Sequence, residues 1–105
     1  MQTSFVKVAR ASEIPNGGMK LATLGTDEVM IANVQGKFYA IGDRCTHVGG
    51  PLHEGELEGK TVTCPLHGSQ FDVTNGNVLG PPARLPVEVY EVTVQGDDIM
   101  IRKKT

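Results

Sequence analysis

The stretch Val87-Glu88-Val89-Tyr90-Glu91-Val92-Thr93-Val94 carries the cleanest secondary-structure pattern in the chain. Its alternation predicts a β-strand with valines on one face and mostly polar groups on the other. On its C-terminal side, Gln95-Gly96-Asp97-Asp98 predicts a turn into a further strand at Ile99-Met100-Ile101. The end of the chain is therefore expected to be a β-hairpin.

The same kind of pattern recurs toward the N-terminus. We predict strands at Phe5–Val8, Val29–Val34, Lys37–Ile41, Thr61–Thr63, Phe71–Val73 and Val78–Leu79. Gln35-Gly36 predicts a tight hairpin connection, and Asn75-Gly76 is typical of a type I′ turn. A single helical turn is expected at Ala11–Ile14, before Pro15 stops it. Short strands at this spacing predict an all-β fold, an antiparallel sandwich or barrel.

Length and charge narrow the classes of function. The 105 residues suffice for a single domain, 1–105, and the net charge of −2 argues against nucleic acid as the main partner. No apolar run approaches the roughly 18 residues of a membrane span, and the N-terminus lacks the pattern of a signal peptide. We therefore expect a cytoplasmic protein that binds no membrane.

The segment from about residue 42 to residue 84 differs from its flanks. It holds all three histidines, both cysteines, four of the six prolines and eight of the 13 glycines. Because loops bury little apolar surface, a long irregular segment in a small domain needs something to hold it. We predict a loop-rich subdomain that is inserted in the β base and held by a metal.

Two short motifs in this segment pair a cysteine with a histidine. Cys45-Thr46-His47 and Cys64-Pro65-Leu66-His67 are separated by 16 residues, and each follows an apolar strand. Incidental histidines beside buried cysteines are one interpretation, and a structural Cys2His2 zinc site is another. The third is a 2Fe-2S cluster with two cysteines on one iron and two histidines on the other. The one-residue spacer of Cys45-Thr46-His47 is tight for a single tetrahedral ion, whereas ligands on different irons need no strained chelate.

These residues resemble the two cluster-binding boxes of the Rieske family. The similarity continues through Leu52 and Glu54-Gly55, through Gly68-Ser69 and Phe71-Asp72, and to Pro81-Pro82, which resembles the family's third loop over the cluster. The resemblance implies that Cys45 and Cys64 bind the buried iron. It implies that His47 and His67 bind the outer iron through Nδ1. Neutral imidazoles in place of two thiolates raise the reduction potential.

Departures from one branch of the family narrow the function. Rieske subunits of cytochrome complexes have two extra, disulfide-forming cysteines where this chain has Gly50 and Leu66, and a tyrosine where it has Phe71. Ser69 matches their serine that bonds a bridging sulfide. The resemblance thus implies a low-potential, oxygenase-ferredoxin-like carrier, not itself an enzyme, with a flavin-dependent reductase as donor and an oxygenase as acceptor. The alternatives are a small subunit of a larger oxidoreductase, such as nitrite reductase, and a structural zinc module.

Polar residues near the motifs have simpler interpretations. His53, in the loop after Pro51-Leu52, is expected to be an exposed loop histidine. The acidic run Glu54, Glu56 and Glu58 predicts a solvated edge that could also steer a basic partner.

Overall fold

A computed structural model describes residues 4–47 and 49–103. In chain order, the described strands are β1 (Val6–Arg10), β2 (Met19–Leu24), β3 (Asp27–Val34), β4 (Lys37–Gly42), β5 (Glu56–Glu58), β6 (Thr61–Thr63), β7 (Gln70–Asp72), β8 (Val78–Gly80), β9 (Val89–Gln95) and β10 (Asp98–Lys103). Two single-turn 3₁₀ helices, Ala11–Glu13 and Leu52–Glu54, complete the regular structure of this part of the chain.

The strands form two antiparallel sheets. The larger has the order β1-β10-β9-β4-β3-β2, and its edge strands β1 and β2 approach each other, so that the sheet nearly closes into a barrel. The smaller has the order β5-β6-β7-β8 and comes entirely from the segment between β4 and β9. The predicted all-β antiparallel architecture is confirmed.

Strand β3 is buried on both of its faces and thereby separates two cores. Val29 and Ile31 face the barrel core, which also contains Ile99 and Ile101. Met30 and Ala32 face the opposite way. They belong to the loop-side core, which comprises Met30, Ala32, Ile41, Cys45, Leu52, Val62, Cys64, Phe71, Val73, Ala83 and Val87. The outer face of the barrel is therefore the floor on which the smaller sheet and its loops pack.

The predicted strand at residues 87–94 begins later than expected. β9 starts at Val89, and its valines do not share a face, which corrects the expectation. Val89 packs against the loop-side core, whereas Tyr90 and Val92 pack against the barrel core. The reason is the spacing: Val89 stands at an odd position and Val92 and Val94 at even ones, and side chains alternate between the faces of a strand. Both faces of β9 can be apolar because it lies in the middle of the large sheet, between β10 and β4.

The two turn predictions differ in outcome. Gln35 and Gly36 have φ of 54° and 88° and join β3 to β4 as a two-residue hairpin, as expected. The type I′ prediction for Asn75-Gly76 is wrong, because only Gly76 has a positive φ, 75°. The connection is a five-residue loop instead. Its start is organised by Asp72, whose Oδ1 accepts hydrogen bonds from the backbone N–H and the hydroxyl of Thr74, at 2.8 and 2.6 Å.

Two strands, β2 and β5, were not predicted from the sequence. In β2, side chains alternate between exposed and buried only over Leu21–Leu24, a run too short to stand out. In β5, Glu56 and Glu58 flank one partly buried leucine, so the three residues look like an acidic loop. Both are edge strands, which need fewer apolar residues than central ones.

Gly76 supplies a test of how the smaller sheet is fixed to the barrel. A Cβ there would lie 2.5 Å from the carbonyl oxygen of Val87, and its φ is left-handed. We expect Gly76→Ala to lower the free energy of unfolding by about 3 kcal/mol, from backbone strain and steric overlap together. Gly25→Ala is the matched control, since Gly25 has a φ of +63° with open space around it. That variant should lose only about 1 kcal/mol. Equal losses in urea unfolding would contradict the contact with Val87.

Candidate metal centre

The first loop leaves β4 and folds back on itself. Arg44 and Pro51 form an isolated β-bridge, and the Cys45 N–H donates to the Gly50 carbonyl at 2.8 Å. The Gly49 N–H donates to the Cys45 carbonyl at 2.8 Å. These bonds turn the Cys45 side chain into the loop-side core, where the residue is 2% exposed. His47, farther along the loop, is exposed.

The second loop leaves β6 and is closed by one backbone bond, from the Cys64 N–H to the Ser69 carbonyl, at 2.7 Å. Cys64 is also 2% exposed, and the Leu66 N–H lies 3.4 Å from its Sγ. His67 and Gly68 both have left-handed φ, 68° and 78°. That conformation is costly for a histidine, and it occurs where the loop presents the imidazole to solvent.

The four predicted ligands come together as two pairs. The imidazoles of His47 and His67 lie with their ring centroids 5.5 Å apart, at an interplanar angle of 71°. The thiols of Cys45 and Cys64 are close enough to interact. Burial is the main cause that raises the pKa of the Cys64 thiol, the hydrogen bond from the Leu66 N–H lowers this pKa, and the interaction with Cys45 raises it further. In the described part of the chain, no three His, Cys, Asp or Glu side chains converge as ligands of one metal ion. The four side chains thus form a buried thiol pair and an exposed imidazole pair.

A third loop, residues 81–86, is tied to both of the others. The Ala83 N–H donates to Ser69 Oγ at 3.0 Å, and the Thr46 hydroxyl donates to the Leu85 carbonyl at 2.7 Å. Ser69 is fully buried. Neither tether was predicted, because each joins residues far apart in sequence through a short polar side chain.

His53 is not the exposed loop histidine that the sequence predicts. Its side chain is only 23% exposed, and its Nδ1 lies 2.9 Å from Oδ2 of Asp43, a buried carboxylate. The expectation is wrong because the 3₁₀ helix Leu52–Glu54 turns this side chain back toward the end of β4. The neighbouring Glu54, Glu56 and Glu58 are all exposed.

Comparison with known proteins assigns the chain to a family. The family model for the Rieske [2Fe-2S] domain matches residues 4–91. The chain belongs to this family. Its cofactor is accordingly a Rieske 2Fe-2S cluster.

Related proteins of this Rieske family are similar over nearly the whole chain. The biphenyl dioxygenase ferredoxin subunit of Pseudomonas sp. (strain KKS102) is 36% identical over 99 residues, covering 93% of this chain and 91% of the relative. The 3-phenylpropionate/cinnamic acid dioxygenase ferredoxin subunit of Shigella flexneri is 40% identical over 92 residues, covering 86% of this chain and 85% of that protein.

Solved structures agree with the curated relatives. The ferredoxin of carbazole 1,9a-dioxygenase from Nocardioides aromaticivorans IC177 superposes with a TM-score of 0.92, at 32% identity, over 97% of this chain and 100% of that one. A chain of the complex of reduced oxygenase and oxidized ferredoxin in carbazole 1,9a-dioxygenase also superposes on this chain. The TM-score is 0.89 and the identity 33%, over 96% of each chain. None of the helices in residues 4–47 and 49–103 is long and apolar enough to cross a membrane.

The residues present fit a Rieske cluster in chemistry. Two thiols and two imidazoles are the donor set of such a cluster. Gly50 faces the thiol of Cys64: a Cβ there would lie 2.8 Å from Cys64 Sγ and 3.2 Å from Leu66 Cδ1. With a leucine at position 66, the packing of this chain therefore requires a glycine at position 50, because an added Cβ would make Cys64 or Leu66 shift.

Gly50→Ala tests this requirement. We expect the added methyl group to push the Cys64 sulfur aside, costing about 1–3 kcal/mol and leaving purified protein with less bound iron than the wild type. Gly42→Ala is the control, because a Cβ there makes only ordinary contacts of 3.7 Å with Glu88. Iron content and visible absorbance per chain measure the difference. Full iron content in Gly50→Ala would show that the site tolerates the methyl group.

Proposed function

We propose that Cys45 and Cys64 bind one iron of the cluster and that His47 and His67 bind the other. The observation that carries this assignment is the pairing of two buried thiols beside two exposed imidazoles. Thiolates are the more strongly charged ligands, and burial among apolar side chains keeps water from them. The imidazoles form the edge at which a partner makes contact.

We further propose that the chain is a single domain, residues 1–105, with the cluster-binding subdomain at about 42–84. The loop-side core supports this division, because it packs the smaller sheet and both cysteines onto β3 and β4 of the barrel. The cluster supplies a one-electron couple. The chain's own residues bind it, shield its buried side and present its outer edge.

The corresponding activity is that of an electron carrier, not an enzyme. We propose that the protein accepts single electrons from a flavin-dependent reductase in the cytoplasm and passes them to an oxygenase. Support comes from relatives that are named ferredoxin subunits of dioxygenases and from the solved complex between an oxygenase and a ferredoxin. A structural zinc module fits less well, because the candidate ligands form two pairs and not one set of four.

Metal analysis and ligand substitution test the assignment. Natively assembled protein should hold iron and labile sulfide at about two of each per chain. When reduced, it should give an EPR signal with a lower average g than an all-cysteine cluster. His67→Ala and Cys45→Ser should each lose most of the iron, whereas Glu58→Gln, at an exposed edge, should keep it. Stoichiometric zinc without iron in the wild type would refute the proposal.

Two exposed leucines flank the imidazole pair and fit a docking surface for the oxygenase. Leu66 is 47% exposed and directly precedes His67. Leu85 is 66% exposed, and its carbonyl accepts the hydrogen bond from Thr46, which adjoins His47. Carriers of this kind form weak interfaces of less than ~1,200 Å². In such an interface, a few residues near the centre supply much of the affinity.

Leu66→Ser and Leu85→Ser should therefore each weaken transfer to the oxygenase. We expect the apparent KM for the carrier to rise by about tenfold, the effect of losing roughly 1–2 kcal/mol of apolar burial. We expect kcat to be unchanged in both variants and the reduction potential to be unchanged in Leu85→Ser, whose side chain lies outside the two cysteine loops. Val94→Ser is the control, since Val94 is similarly exposed but lies near the β9–β10 turn. If Leu66→Ser and Leu85→Ser have the same KM as Val94→Ser, the two leucines are not part of the docking surface.

Phe71 bears on the reduction potential. It is fully buried in the loop-side core with both cysteines. A hydroxyl donor directed at a ligand sulfur favours the more negative, reduced state. Phe71→Tyr should therefore raise the potential by roughly 40 mV if the bond is worth about 1 kcal/mol. Phe38→Tyr, against the barrel core, is the control. Voltammetry measures these potentials, and an unchanged potential in Phe71→Tyr would show that the missing hydroxyl does not lower the potential of the wild type.

Ser69 matches the family's serine that donates to a bridging sulfide. Ser69→Ala removes that donor and should therefore lower the reduction potential.

A further inference from the structure

A buried, hydrogen-bonded carboxyl group lies at the base of the first loop. Asp43 directly follows β4, two residues before Cys45, and is 3% exposed. Both oxygens of its carboxylate are engaged by one residue, His53. The His53 backbone N–H donates to Oδ1 at 2.8 Å, and the imidazole Nδ1 lies 2.9 Å from Oδ2. A two-point contact of this kind fixes the relative orientation of the two residues.

The contact closes the loop that carries Cys45. From its base upward, the Leu52 N–H donates to the Asp43 carbonyl at 2.7 Å, Arg44 bridges Pro51, and the Cys45 N–H donates to Gly50. The Asp43–His53 pair is the side-chain counterpart of this backbone ladder, at the point where the two arms of the loop meet. Movement at the base is therefore transmitted directly to Cys45.

The pair also solves an electrostatic problem. A buried carboxylate is costly unless it accepts hydrogen bonds. Without the imidazole, the Asp43 carboxylate would retain the single bond from the backbone N–H of residue 53, as far as residues 4–47 and 49–103 show. The carboxylate would then need hydrogen bonds from water, and the base of the loop would have to open to admit it.

We propose that His53 is a positioning residue for electron transfer: by binding Asp43, it holds the first loop closed and keeps Cys45 in place. The inference rests on the proposed function, because it takes Cys45 as a ligand of the cluster. It assigns a role to the third histidine, which the ligand set leaves unused. His53 acts through Asp43 and does not itself touch the metal.

Two variants of equal shape test the role of the donor. In His53→Asn, the amide nitrogen occupies the position of Nδ1 and can still donate to Asp43. In His53→Leu, a methyl group takes that place. We expect His53→Leu to lose the cluster about tenfold faster than the wild type, measured by decay of visible absorbance, and to have a reduction potential that differs from the wild-type value. His53→Asn should stay close to the wild type in both. Equal behaviour of His53→Leu and the wild type, or of the two variants, would overturn the proposal.

A double-mutant cycle covers the case in which His53→Leu does not fold. Asp43→Asn removes the charge that needs the partner, so His53→Leu/Asp43→Asn should fold and hold the cluster. If His53→Leu alone does not fold, a folded double variant that holds the cluster supports the proposal, and an unfolded one overturns it. If His53→Leu folds, adding it to Asp43→Asn should change the loss rate and the potential much less than adding it to the wild type. An equal change in both backgrounds would show that His53 acts independently of Asp43. Cys45→Ser separates the two proposals: if it keeps its iron, the ligand assignment fails, and if only the His53 variants are silent, the positioning role fails.

Discussion

The contact between the thiols of Cys45 and Cys64 joins the two halves of the molecule. Cys45 follows β4 of the barrel, and Cys64 follows β6 of the smaller sheet. Both lie in the same apolar core, so the site forms only where the two sheets pack together. The outer face of the barrel therefore supplies part of the environment of the buried thiol pair.

From this contact outward, the protein becomes progressively more exposed. The thiols are buried, the hydroxyl of Ser69 closes the side toward the third loop, and the imidazoles of His47 and His67 reach solvent. An electron that enters or leaves at the imidazole edge crosses little protein.

The sequence could predict the candidate ligands because their signal is local. Each cysteine lies within three positions of its histidine, so the two side chains are near each other in sequence regardless of the tertiary structure. The central strands could also be predicted from their runs of β-forming residues. β3 shows no clean alternation, because both of its faces are buried. The contacts that escaped prediction are long-range and polar. The Asp43–His53 pair and the Thr46–Leu85 bond depend on how loops meet in space, which no periodicity records.

Polar contacts between the loops matter for stability in this protein because no disulfide joins the loops. Both cysteines are thiols, and the positions at which cytochrome-complex relatives have two further cysteines are occupied by Gly50 and Leu66. These two residues face each other across the loops, since a Cβ on Gly50 would lie 3.3 Å from Leu66 Cγ. A covalent link would hold the loops together in the unfolded chain as well, whereas hydrogen bonds and a metal act only in the folded state. We therefore expect loop order to depend on the cluster, and the hydrogen bonds of His53 and Ser69 are contacts that do not require the metal.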